Sequence, residues 1–448
     1  MASLIMYFIG IIFIVIYILL FKRAAGTLSL TKLNIISFSF YSILFFQLIG
    51  GTLVFWGIRE HYLIEKITDM NTIPKTYFIL IYTALMLPIV IILVNYLFFR
   101  NTTSLVYKRY IEKETMVFHS NKVFIIMLFL TLVGICALIY TFAYIGYIPI
   151  LKYITRDINF AVERINIGRN FAGNEYIRNI LMLFLIPLIS YVAYVYMRLT
   201  NEIKWKLLFA LVFVLSILTK TYDFSKAPVV YYLGYFYLLE VWMGKVKNIK
   251  RILPFIVIGG IVMLFFYRVI SGYEGNILSL TSGPLSRIIM TQVATLFLHV
   301  DAFPLTVNYL QGHSFHRIFS FIFGPGEYGI RSGRVVMETY AKSSVANGTA
   351  GVMSTLFVGE AYANFGLAGV FFAPIIVGII ISVVHCVFIK SPKTPLTICL
   401  MLEIVILFTN SLQGGFTDFF YNANLIISLL LFFIINLCIR LSASKGHR

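Results

Sequence analysis

Residues 357–389 read FVGEAYANFGLAGVFFAPIIVGIIISVVHCVFI. From Ala361 to Ile389 the stretch is almost wholly apolar, and a helix of about 20 such residues crosses a bilayer. Its head is different in kind. Glu360, Tyr362 and Asn364 stand there among Gly359, Gly366 and Gly369. A carboxylate at the edge of hydrocarbon is costly and is a functional candidate by default. Asn364, one turn on, shares the face of Glu360. The glycines permit close backbone approach or a break in the helix.

The rest of the chain follows the same pattern. Of 448 residues, 60% are hydrophobic and only 12% charged, against about 25% charged in soluble domains. Apolar runs predict helices near 4–21, 34–56, 77–98, 123–143, 178–197, 207–219, 228–243, 252–270, 361–389, 395–411 and 423–439. The segment 288–300 (IIMTQVATLFLHV) is short for a span and reads as re-entrant or interfacial. The expectation is an all-α polytopic membrane protein with about 11–12 transmembrane helices, residues 1–448 forming one integral membrane domain. The first apolar run has no basic region before it, so it does not read as a cleaved signal.

Charge sets an orientation. With the N-terminus outside, the loops at 22–33, 99–122, 198–206, 244–251, 390–394 and 440–448 face inward and hold 20 of the 36 Lys and Arg. This agrees with the positive-inside rule. The net charge of +18 therefore reads as topology and excludes a basic nucleic-acid face. The four cysteines, Cys136, Cys386, Cys399 and Cys438, all lie in apolar runs without a CxxC pair, which argues against zinc or a disulfide framework.

The outer basic residues are biased in identity. Inside there are 13 Lys and 7 Arg, outside 6 Lys and 10 Arg. Lysine suffices for topology, whereas arginine offers a planar fork for phosphate and carboxylate oxygens. Arg156, Arg164, Arg169 and Arg178 fall in or beside an outer loop at 144–177. Arg287, Arg317, Arg331 and Arg334 fall in a larger one at 271–352. A helix over 150–165 places Lys152, Arg156 and Glu163 roughly on one face, and Arg334 and Glu338 are spaced for a helical ion pair. The loop at 271–352 is aromatic and glycine-rich, so it is expected to fold over the outer face as a lid or cup. His299, Asp301, His313 and His316 are candidates for a general base. No histidine grouping has metal-ligand spacing on one helix, so no protein-bound metal or other cofactor is expected. Glu403 lies mid-run and Glu240 near an inner end.

The chain resembles the bacterial oligosaccharide repeat-unit polymerases, the Wzy or O-antigen polymerase family. The resemblance rests on the many spans, on the arginine-bearing outer loop DINFAVERINIGRN (157–170), and on the larger loop. That loop runs through GPGEYGIRSGR (324–334) and SSVANGTAGVMSTLFVGEAYANFGLAGV (343–370) into a late helix. It implies a GT-C-like glycosyltransferase, multi-pass in the bacterial cytoplasmic (inner) membrane with its site facing outside. The implied activity joins undecaprenyl-diphosphate-linked repeat units into O-antigen, capsule or a related polysaccharide without metal. Under it, Glu360, Glu338 and His299 are the catalytic candidates. Arg156, Arg164, Arg169, Arg287, Arg331 and Arg334, with Asn364 and Tyr362, are the diphosphate- and substrate-binding candidates. The lipid bilayer and the lipid-linked glycan are its partners; a chain-length regulator and a flippase are left open. A transporter or flippase of lipid-linked sugars and an O-antigen ligase are the alternatives.

Overall fold

The computed structural model describes residues 4–98, 103–118, 120–155, 160–168, 170–225, 227–264, 267–268 and 274–444. Every regular element among them is helical. The principal helices are α1 (Leu4–Ala25), α2 (Ile35–Phe55), α3 (Thr72–Phe98), α4 (Ser120–Ile145), α5 (Ile177–Thr200), α6 (Ile203–Lys220) and α7 (Ala227–Trp242). After α8 (Leu253–Leu264) come α9 (Gln292–Ala302), α10 (Ser332–Tyr340), α11 (Phe357–Lys390), α12 (Pro395–Gly414) and α13 (Ala423–Ser444).

Eight of these segments are long and apolar enough to cross a membrane: α1 to α5 and α11 to α13. The chain is thus a multi-pass helical membrane protein, with fewer qualifying spans among the described residues than the eleven expected. The segments expected at 207–219, 228–243 and 252–270 are the shortfall. The helix α6 has 18 residues but carries Lys204, Lys206 and Lys220. The 16 residues of α7 reach only about 24 Å, short of a hydrocarbon core about 30 Å thick. The described part of α8 has 12 residues.

Local sequence explains the corners. Asn34 starts α2 through a capping box with Ser37 and ties back to the end of α1 by donating to the Ala25 carbonyl (2.9 Å). Thr394 and Thr397 form the same device at the start of α12, with Pro395 in the first turn. Both satisfy N–H groups that a helix start leaves open. The long helix α11 packs along α3, where Gly378 lets it approach Val90 and the Leu87 carbonyl.

The bundle has two ends. At one, the short connections close upon themselves: Tyr107 and Trp242 both donate to the Leu33 carbonyl (2.5 and 2.9 Å), and Lys393 to the carbonyls of Ile111 and Lys113 (2.9 and 2.7 Å). At the other, the heads of α3, α11 and α13 meet the ends of α2 and α12, and the long 274–352 segment lies over them.

That segment is seated on a break. Gly366 in α11 has φ 60° and ψ −140°, outside the helical region, which glycine adopts without a Cβ penalty. The Ala363 and Asn364 carbonyls then accept from Leu310 N (2.9 Å) and Gln311 N (3.1 Å) of the long loop. Phe315 fills the seam, packed against Phe319, Phe323, Phe365, Phe416 and Phe420.

The segment expected to be re-entrant or interfacial, 288–300, begins at the exposed Ile288 and is buried from Val293 onward. Residues 293–302 of α9 are all buried, with α3, α10 and α11 around them. Its end is fixed by Asp301, whose carboxylate accepts from Thr68 N and Oγ1 (both 2.9 Å), Asp69 N (3.1 Å), Thr72 Oγ1 (3.0 Å) and Tyr340 Oη (2.6 Å). The carboxylate satisfies the lead-in to α3, as an anion does at a helix start.

Candidate functional site

Glu360 sits in the first turn of α11 with its side chain 2% exposed. Its partners come from the turn after α12, 57 residues further along. Glu360 Oε2 accepts from Thr417 N and from Thr417 Oγ1, both at 3.0 Å. Gly415 makes this approach possible: a Cβ there would lie 2.3 Å from Oε2.

Arg331 completes the group from the N-cap position of α10. It donates through Nη2 to Asp418 Oδ1 (2.5 Å) and through Nη1 to Thr417 Oγ1 (3.2 Å), and its Nη1 lies 3.9 Å from Glu360 Oε1. Burial works against the guanidinium charge, but the Asp418 bond and charge, with Glu360 behind them, raise its pKa above the ordinary arginine value. Two bonds leave the rest of its donor fork uncommitted.

Arg331, Thr417 and Asp418 line a cavity of about 340 Å³ with His316, Tyr421 and Asn424, and Glu360 lies behind them. The side chains of Arg331 and Asp418 remain 44% and 21% exposed, so both reach solvent. His316 stacks on Tyr421 at 4.0 Å between ring centroids. Its Nδ1 accepts from Ile318 N (3.2 Å), which places the neutral ring's proton on Nε2. The cavity thus combines a fixed cation, hydrogen-bond donors and one accessible carboxylate. Such a set can hold a phosphate-bearing group and accept a hydroxyl proton.

The other expected site residues are placed elsewhere. His299 is fully buried, bonded through Nδ1 to the Thr295 carbonyl (2.7 Å) and through Nε2 to Ser332 Oγ (3.2 Å). Burial drives its pKa down to about 4. It joins α9 to α10 and lines none of the cavities described here, a fully buried placement that sets it apart from the Arg331 group. Glu338 is half-exposed, pairs with Arg334 at 2.7 Å, the helical ion pair that the spacing implied, and does not line this cavity. Arg334 turns that way and toward the Ala350 carbonyl (3.4 Å).

Asn364 donates to the Glu360 carbonyl (2.8 Å) and Ser314 Oγ (2.7 Å) and accepts from Gly312 N (3.0 Å). It holds the long loop down and does not enter the cavity. Tyr362 donates to the Phe303 carbonyl (3.0 Å) and accepts from Lys75 Nζ (2.7 Å), anchoring α11 to α3.

Among the described residues, Arg331 is the expected arginine that lines this cavity. Arg164 and Arg287 are exposed and line none of the cavities described here. Arg178 is buried on the Ile167 and Gly168 carbonyls (2.8 and 2.9 Å) and the Phe171 ring. Arg156 and Arg169 lie outside the described residues. In the loop at 144–177, the described stretches Pro149–Thr155 and Phe160–Gly168 are helical, and Glu163 accepts from Tyr147 Oη (2.6 Å).

Thr417 and Asp418 are the members that sequence reasoning missed. Their signal is the polar run QGGFTDFFYNAN (413–424) between two apolar helices, with a glycine pair at the point of closest approach. Among the described residues, no group of three or more His, Cys, Asp or Glu is placed to hold a metal ion. No family model, curated protein or solved structure matches this chain.

Proposed function

We propose that this protein polymerises polyprenyl-diphosphate-linked oligosaccharide repeat units, the activity of the O-antigen polymerase family that its sequence resembles. The observation that carries this reading is Arg331, held by Asp418 and Thr417 with Glu360 behind it, in an open cavity at the end of a membrane bundle. In a metal-independent transfer, a hydroxyl oxygen of the incoming repeat unit attacks the anomeric carbon of the growing chain. The bond from that carbon to the diphosphate breaks, and the diphosphate leaves with the electron pair. Arg331 supplies positive charge where the leaving group develops negative charge. Asp418, the accessible carboxylate, takes the hydroxyl proton. Glu360 positions Arg331 and the Thr417 turn. In this reading the cavity end faces the outside of a bacterial cytoplasmic membrane.

The test is elongation by purified protein in lipid nanodiscs, supplied with lipid-linked repeat units in the presence of a metal chelator. Longer chains are expected, and Arg331→Lys is expected to cut the rate by roughly 100- to 1,000-fold. Protein that moves the units across liposomes without lengthening them is a transporter, and the proposal falls.

A further inference from the structure

The geometry points to a sugar-binding chamber beside the Arg331 cavity, in which Glu403 and Lys220 hold ring hydroxyls of the glycan. It rests on reading the chain as a glycan-transferring enzyme, and deepens that reading by dividing the substrate between two compartments. The chamber has a volume of about 700 Å³ and lies between α5, α7 and α12, within the range of small-molecule sites. Ala423 and Asn424 line both it and the Arg331 cavity, so the two adjoin. Glu403 lies about 16 Å back along α12 from Gly414.

Glu403 is 6% exposed and lines this chamber, and among the described residues no hydrogen-bond partner reaches its carboxylate. Lys220, across the space, makes one long bond to the Leu183 carbonyl (3.5 Å). It and Glu403 attract each other at a distance, and Asp223 acts on Lys220 in the same sense, but among the described residues Lys220 and Glu403 do not close to an ion pair. Charged groups this deep in a membrane bundle are costly unless something pairs them.

The walls indicate what does. Tyr176, Tyr191, Tyr231, Tyr232 and Tyr235 face the space, and Asn179 and Asn410 add amide groups. Tyr232 already donates to Ser190 Oγ (2.9 Å) and Asn179 Oδ1 accepts from Arg178 Nε (3.0 Å). A polyprenyl tail, with neither donors nor acceptors, would leave Glu403 and Lys220 unmatched. A pyranose ring matches them: adjacent hydroxyls donate to one carboxylate and accept from an ammonium, while the C–H face lies on tyrosine rings. One wall is the wide π-helical turn Ile177–Phe184 at the head of α5, a distortion frequent at functional sites.

The probe is the lipid-free repeat-unit oligosaccharide, released from the lipid-linked pool of producing cells and fluorescently labelled. Its binding to nanodisc-embedded protein is measured alongside elongation. Glu403→Gln is expected to weaken binding and raise KM about tenfold, with kcat changed by less than about twofold. Tyr231→Leu, at a half-exposed position where folding is tolerant, is expected to move the same two readouts in the same direction. Arg331→Lys is expected to lower kcat and leave oligosaccharide binding intact. If the protein elongates chains while both chamber variants bind and turn over like the parent, the chamber proposal falls and the polymerase reading stands. If the protein never elongates but binds the oligosaccharide in a Glu403-dependent way, the polymerase reading falls and the chamber stands. Displacement of the oligosaccharide by undecaprenyl monophosphate assigns the space to the lipid tail and overturns the proposal.

Discussion

Two arginine–glutamate pairs in this protein show how similar groups are used differently. At the closed end of the bundle, Arg198 grips Glu240 with two bonds, Nε to Oε1 at 2.6 Å and Nη2 to Oε2 at 2.9 Å, while Tyr194 donates to the same carboxylate at 2.8 Å. At the other end, Arg331 stands 3.9 Å from Glu360 and gives its short bond to Asp418. In the first pair it is the carboxylate that is saturated, by a bidentate match to the guanidinium fork with Tyr194 beside it. In the second, Arg331 is spread over three partners from two chain segments and lines a cavity. A pair closed on itself holds structure; one spread along a cavity wall is equipped to meet a ligand.

The contrast can be broken most strongly at Gly415. Gly415→Ala is expected to push Glu360 off Thr417 and shift Arg331, lowering elongation by about 100-fold, since displacements near 1 Å cost that much at reacting centres. At Gly414 a Cβ would lie 3.2 Å from Asp418 Oδ2, a milder contact, so Gly414→Ala is expected to cost less. Equal loss from both would mean that the turn tolerates no side chain and that the Glu360 approach has no special part.

The saturated pair should behave in the opposite way. Arg198→Ala leaves Glu240 half-paired in a buried place and is expected to lower unfolding stability by about 1.5–3 kcal/mol, with elongation per folded molecule unchanged. Thermal unfolding in detergent, read beside activity, checks both halves. Loss of activity in the folded variant would erase the distinction between the two ends.

The most gradual effect is an acid response around α9. His299 is held neutral by burial, with its pKa near 4, while the unfolded chain protonates it near 6.5. Between those values the unfolded state binds the extra proton, so stability falls as pH is lowered, by at most about 1.4 kcal/mol per pH unit. Asp301 follows at lower pH. Burial alone would raise its pKa, but hydrogen bonds from Tyr340, Thr68 and Asp69 outweigh it and bring the value below the ordinary one. Its contribution is present above the ordinary aspartate pKa and is lost as pH falls through the depressed value. Denaturant titrations at stepped pH should show the first limb vanish in His299→Gln and the second in Asp301→Asn.

Much of the fold was legible because hydrocarbon imposes a strong pattern. The apolar runs, the head of α11 and the break at Gly366 are all written locally, as is the Arg334–Glu338 pair. What joins Glu360 to Thr417 and Asp418 is not local, since it depends on how two helix ends separated in the chain meet in space. For the same reason the arginine bias does not say by itself which arginine lines a cavity: residues that share a loop face different neighbours once the loop is folded. The burial of His299 was not legible for a related cause, because periodicity marks α9 as apolar without saying that every side of it is covered.

The Asp301 clasp has a consequence for how the protein is made. Its partners Thr68, Asp69 and Thr72 are synthesised some 230 residues before it. At typical rates of about 5–20 residues per second, the start of α3 waits roughly 10–50 s for its acceptor. During that interval the early helices sit in the bilayer with an unfinished seam. The long loop therefore acts as a late-arriving fastener, and chains truncated before residue 301 should remain open to membrane proteases there.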